Sequence, residues 1–199
     1  MIYLASNSPR RRELLQQIHV HFEPLLFRGP GRHDHDISEH ELPDEDAVSY
    51  VQRVALAKAT GGVQRMRWRN LPERLLLAAD TTLEVDGEIV GKPDDGEHAV
   101  AILQRLSGRA HRVLTAVVVS DGARYASRLS ISEVRFRPLS EDEVRNYVAT
   151  GEASDKAGAY GIQGRAALFV EEIRGSYSGI MGLPLFETGA LLREFGYPL

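Results

Sequence analysis

Cysteine is missing from all 199 positions, which excludes disulfides, thiolate metal sites and a cysteine nucleophile together. Long apolar runs are missing too. The opening Ile2–Ala5 stretch is too short for a signal peptide or a membrane span, and charge arrives by Arg10. There is no Walker A and no GxGxxG pattern, and Gly87–Lys92 lacks the Walker spacing. Positive charge is in deficit, with a net charge of −4. A non-specific grip on nucleic acid is therefore excluded, and any anion site has to be assembled from local cations. The expectation is a cytoplasmic chain with neither nucleic acid nor membrane as partner. What the chain does have is 43% apolar residues interleaved with charge. That suffices for one cored domain spanning 1–199.

The pattern predicts a buried strand at Ile2–Ala5 and a helix at Pro9–Ile18, with Ser8 as N-cap and Pro9 in its first position. A second strand is expected at Phe22–Phe27, followed by a polar loop over Arg28–Pro43. Asp44 is read as the cap of a helix closing at Gly61-Gly62, with Arg65–Arg69 a surface connection. Leu75–Ala79 reads as an apolar strand ending at Asp80. Asp86-Gly87 reads as the turn of a hairpin between Leu83–Val85 and Glu88–Val90. Further elements are a helix over Glu97–Leu106, a strand over His111–Val119, and a strand over Ser127–Arg137. Apolar alternation slips in that last strand, which predicts a bulge near Ser132. Ser140–Glu143 is a capping box opening a helix to about Thr150. Gly151–Gly182 holds seven glycines, and a last helix runs from Pro184 to Phe195. Hairpin neighbours mixed with helix-separated strands imply an α/β fold with a mixed, twisted sheet and flanking helices.

Four places break local rules. Arg10-Arg11-Arg12 follow a Ser-Pro cap, where the helix's positive end makes each cation cost roughly 0.3–1 kcal/mol. Three guanidinium groups there make an anion site, or else a solvated face paired with Glu13. Lys58 falls on the inward stripe marked by Val48, Val51 and Ala55. A buried ammonium needs a partner, unless it snorkels past the helix end. Asp80 follows Leu75–Ala79, and a carboxylate at a strand tip suits metal or water activation as well as an ordinary turn. Asp155-Lys156, with Gly158, Gly161, Gln163 and Gly164, reads equally as a base-reading segment and as a plain loop. His33-Asp34-His35-Asp36 alternates in a polar loop, which more often marks solvated side chains than a metal site. Arg67-Trp68-Arg69 reads as a surface loop with a packed Trp in preference to a base-stacking site.

The segment Leu4–Leu15, LASNSPRRRELL, resembles the opening signature of Maf-like nucleotide pyrophosphatases. Similar segments follow in order: Tyr50–Ala55 through Lys58, Ala79-Asp80-Thr81, Gly91-Lys92-Pro93, Leu106–Arg109, His111 through Val117, Asp155–Gly164 and Gly182–Leu185. The resemblance implies two lobes around a central cleft, related to inosine-triphosphatase-like enzymes. It implies cleavage of a nucleoside triphosphate, dTTP or UTP, to monophosphate and pyrophosphate with Mg²⁺ or Mn²⁺. It carries Asp80 over as the catalytic proton acceptor, and Arg10, Thr81 and Gln163 as specificity positions. Ser6, Arg11, Lys58 and Lys92 carry over as phosphate contacts, and Asp80 with Glu39 as metal ligands. It also allows a homodimer. Ala78 and Thr82 depart from the Gly and Val more usual in the family. Two other functions stay open: the sister branch acting on 7-methyl-GTP, and a non-catalytic nucleotide-binding regulator of cell division.

Overall fold

The computed structural model describes residues 1–25 and 38–199. A seven-stranded mixed sheet organises them, built from β1 (Ile2–Leu4), β2 (Phe22–Pro24), β3 (Leu76–Val85), β4 (Glu88–Val90), β5 (Ala110–Ser120), β6 (Tyr125–Phe136) and β7 (Val170–Arg174). The order is β2-β1-β3-β5-β6-β7, with β4 added to β3. β1 runs parallel to β2 and β3, and every other pairing is antiparallel. The flanking helices are α1 (Pro9–Gln17), α2 (Ala47–Trp68), α3 (Gly96–Leu106), α4 (Glu141–Val148), α5 (Tyr177–Met181) and α6 (Leu185–Glu194). The expected mixed α/β class is what is observed.

Several boundaries differ from the sequence expectations, each for a physical reason. α2 is capped by Asp46, whose carboxylate accepts from the Val48 and Ser49 amides, while Asp44 sits in a left-handed turn. The helix does not stop at Gly61-Gly62 and takes in Arg65–Trp68. Gly62 lies close against the sheet: a Cβ would lie 2.5 Å from Leu76 Cδ1 and 3.3 Å from Ala5 Cβ, so a larger residue there would require the Leu76 side chain to shift. β3 does not end at Asp80 but continues to Val85. The bulge expected near Ser132 is absent, because β5 and β6 pair without interruption from Ala110↔Arg135 to Ser120↔Tyr125. The register instead shifts at Arg135/Phe136 against β7. The inward face of β6 is Ser130, Ser132, Val134 and Phe136, so small polar residues continue the apolar stripe. β7 and α5 lie within the glycine-rich stretch that had no assigned elements. The expected strand at Phe22–Phe27 is observed over Phe22–Pro24, and Leu25 follows it outside the strand. Residues 26–37, with most of the polar loop and His33–Asp36, lie outside the described residues.

Alternation places α2 on one face of the sheet, with Val51, Ala55, Ala59 and Val63 against Ala78, Leu114, Ala116 and Val118. The other face carries two separate cores. One packs α1 and α6 on Leu77, Ala79, Val117 and Val119. The second packs α3 and α4 on Leu83, Val113, Val134 and Phe136. Between them, the paired residues Thr81, Thr115 and Ser130 form a polar row across three strands. This row is the seam between those two cores.

His111 lies in the second core, 5.0 Å from the Phe136 ring and 5.5 Å from that of Tyr160, with Nε2 2.8 Å from the Tyr160 hydroxyl. Burial lowers its pKa to about 4. The native state thus holds this ring neutral where the unfolded chain takes up a proton. Stability is retained above the unfolded value near 6.5 and lost as pH falls from there towards 4, by up to about 3 kcal/mol. Urea titrations from pH 7 to pH 4 should show a smaller loss for His111→Gln than for the wild type. Parallel pH curves for the two proteins would contradict this origin.

Candidate active site

The site is built around an interruption in strand pairing. β1 leaves β3 at Leu77 and β4 joins it only at Leu83, so residues 78–82 keep an open edge on that side. Asp80 and Thr81 sit in this gap with their side chains on opposite faces, and an edge is where both faces can reach one ligand. Extending β3 beyond the apolar run therefore puts a carboxylate inside the sheet at a solvent-reaching notch. Asp80 is only 7% exposed.

From the α2 face, Lys58 reaches Asp80 Oδ1 at 2.7 Å and Glu39 Oε1 at 2.8 Å. Its inward placement is resolved by this double pairing, as a buried cation requires. From the other face, α1 presents Arg11. Its Nε donates to the Gly182 carbonyl at 2.7 Å, Nη1 to Ser6 Oγ at 3.2 Å and Nη2 to Thr81 Oγ1 at 3.2 Å. Burial lowers the Arg11 pKa, and Asp80 acts against that shift. Ser6 Oγ also accepts from the Ser8 amide at 3.1 Å. With two bonds accepted, the Ser6 hydroxyl proton points away from both donors and suits a phosphate oxygen.

The third wall comes from the glycine-rich segment. Arg10 makes a 3.6 Å ion pair with Asp155 across the seam. Lys156 bonds the Glu152 carbonyl at 2.7 Å and packs against Gly161, beside the exposed Gln163. Gly158 has φ +72°, and a Cβ there would lie 2.3 Å from Leu83 Cδ1. Its amide donates to Gly91 O at 3.0 Å, tying the loop that carries exposed Lys92 to this segment. The Glu39 pKa is lowered against the opposing effect of burial by Lys58, Lys92 and Arg11. The structure thus gathers Ser6, Arg11, Glu39, Lys58, Asp80 and Thr81 around one notch, with Lys92 close enough to act on Glu39 and Arg10 tied to Asp155, while Gln163 lies in the same glycine-rich segment as Asp155. Arg12 turns aside to the Asn7 carbonyl at 3.5 Å. Thr115 and Gly182, which lie in matching segments without an assigned role, and Gly179, which lies in none, support Arg11. The available signal was Thr115 itself, a lone hydroxyl inside the apolar run Val113–Val119.

A divalent cation fits the donor set. Asp80 and Glu39 share one ammonium and so lie within reach of a single cation, and Mg²⁺ commonly takes one or two carboxylates plus substrate phosphates. Among the described residues no group of three or more His, Asp and Glu side chains could hold a metal ion, so such a cation would have to complete its coordination with substrate oxygens and water. A depression lined by Arg137, Glu143, Tyr147, Leu168 and Phe169 lies away from this cluster and shares none of its residues. Among the described residues no helix is long and apolar enough to cross a membrane.

A dTTP/UTP pyrophosphatase of Aromatoleum aromaticum is 67% identical over all of this chain and 97% of its own length. One of Dechloromonas aromatica is 54% identical over 98% of both chains, and one of Chromobacterium violaceum 52% over all of this chain and 96% of its own. The Staphylococcus aureus Ham1 protein shares the fold, with a TM-score of 0.52 at 15% identity over 98% of this chain and 96% of its own. The family model described as Maf-like protein matches residues 1–195, and the chain belongs to that family.

Proposed function

We propose that this chain is a nucleoside triphosphate pyrophosphatase acting on dTTP and UTP in the cytoplasm. The observation that carries the reading is the convergence of Arg11, Lys58 and Lys92 on the paired carboxylates Asp80 and Glu39. Three cations over two carboxylates leave one net positive charge, whereas a triphosphate brings about four negative ones. A divalent metal held by Asp80 and Glu39 would supply much of the difference and polarise the phosphoryl oxygens. The relatives named as dTTP/UTP pyrophosphatases support the pyrimidine assignment.

The residues divide the work as follows. Ser6, Arg11, Lys58 and Lys92 hold the triphosphate by charge-assisted hydrogen bonds. Asp80 orients a water and takes its proton as the oxygen attacks the α-phosphorus. The bond from that phosphorus to the bridging oxygen breaks, pyrophosphate leaves, and Arg11 and Lys92 stabilise the charge it gains. Arg10, Thr81 and Gln163 shape the base end, where a base that leaves their polar groups unpaired is rejected.

The test is pyrophosphate release from dTTP, UTP, 7-methyl-GTP and the purine triphosphates with Mg²⁺ or Mn²⁺. Release from dTTP and UTP at least about tenfold faster than from the others is expected, since hydrogen-bond mismatches of this kind discriminate strongly. A preference for 7-methyl-GTP would assign the sister activity. Binding of dTTP without pyrophosphate release would make the chain a nucleotide-binding regulator.

A further inference from the structure

We infer that Thr115 is a positioning residue that fixes the orientation of Arg11 from within the sheet, an inference that rests on the phosphate-binding role proposed for Arg11. Thr115 is 0% exposed, the middle member of the polar row between the two cores. Its Oγ1 lies 2.8 Å from the Gly179 carbonyl, which can only accept, so the Thr115 proton is committed there. In the 3.0 Å contact between the Thr81 and Thr115 hydroxyls, Thr81 is therefore the donor. Thr81 is then left to accept from Arg11 Nη2 at 3.2 Å. The direction of the chain is fixed throughout: Arg11 to Thr81, Thr81 to Thr115, Thr115 to Gly179.

A second arm closes on the same guanidinium. Gly179 O also accepts from the Gly182 amide at 3.0 Å, and Gly182 O accepts from Arg11 Nε at 2.7 Å. Thr115 thus holds Nη2 through Thr81 and Nε through the end of α5, while Ser6 holds Nη1. A guanidinium has five N–H donors in a rigid plane. With three of them committed, the remaining two are aimed by the polar row. Thr81, with its proton turned to Thr115, aligns Arg11 as well as lining the site.

Thr115→Val keeps shape and removes both hydroxyl contacts. The expected result at 25 °C is a fall in kcat for dTTP of about 10²-fold with a much smaller rise in KM, because misalignment weakens the stabilisation of charge on the leaving pyrophosphate more than the hold on the bound triphosphate. Thr115→Ser, which keeps the hydroxyl, should recover kcat to within about threefold. Thr115→Val added to Arg11→Met should cost nothing further, as expected for residues acting as a unit. A purely structural Thr115 would lower thermal stability without this kcat-specific loss or its coupling to Arg11. Should Thr115→Val not fold, Thr115→Ala removes the same hydroxyl and should show the same coupling. Full kcat in the hydroxyl-free variant, with Arg11→Met impaired, would overturn the positioning role alone. An Arg11→Met variant as active as wild type would instead overturn the phosphate-binding reading beneath it.

Discussion

Asp80→Asn is expected to lower kcat for dTTP cleavage by about 10³-fold while leaving the melting temperature within a few degrees of wild type. The catalytic loss follows from the chemistry: an amide cannot take the proton of the attacking water, and a positioned base contributes typically 10²–10⁴-fold. The preserved fold follows from the geometry. Asn has nearly the volume of Asp, and its amide oxygen can still accept from Lys58 Nζ, now 2.7 Å from Oδ1. Lys58 also keeps Glu39 as a counter-charge at 2.8 Å. Turnover near wild type would remove Asp80 from the mechanism. A variant that fails to fold would show that the carboxylate is structural.

Lys58→Met should lose both stability and activity, for one reason. Lys58 is the shared counter-ion of Asp80 and Glu39, and removing it leaves a nearly buried carboxylate without its ammonium. Breaking a fully buried pair costs about 3–5 kcal/mol. Here the open β3 edge and Arg11 relieve part of that, so a loss of about 2 kcal/mol is expected. Losing one electrostatic contact to the developing phosphate charge should also cut kcat/KM by about 10²-fold. Adding Asp80→Asn to Lys58→Met removes the stranded charge and should recover most of the stability but none of the activity. Failure of the double variant to regain stability in urea unfolding would show that Lys58 acts through packing rather than charge.

The sequence made the fold class legible because its elements are marked locally. Ser140–Glu143 gives a capping box that is present as read, and Asp86-Gly87 turns the β3–β4 hairpin. Expectations failed where tertiary contacts override local signals. Gly61-Gly62 reads as a helix end, yet α2 runs through because Gly62 meets Leu76 at close range. Asp80 reads as a strand tip because the apolar run stops at Ala79, but β5 pairs with β3 beyond it and carries the strand on. The inward serines of β6 read as a register slip. They are small because α5 presses against them: a Cβ on Gly179 would lie 2.9 Å from Ser130 Oγ.

Within the site, the charged residues were legible because each breaks a local rule: cations at a helix's positive end, an ammonium on an apolar stripe, a carboxylate after an apolar run. Their assembly was not legible. It depends on the register that puts Thr81 opposite Thr115 and on a 171-residue separation between Arg11 and Gly182. The Arg10–Asp155 pair, which joins two walls distant in sequence, was hidden for the same reason.

The most direct measurement is a crystal structure of the protein with α,β-imido-dUTP and Mn²⁺, the metal located by its anomalous scattering. The account predicts Mn²⁺ on the carboxylates of Asp80 and Glu39, the phosphates within hydrogen-bond reach of Arg11, Lys58 and Lys92, and Lys58 drawn from its carboxylate partners towards phosphate oxygen. A nucleotide bound elsewhere, with Lys58 still locked between Asp80 and Glu39, would contradict it.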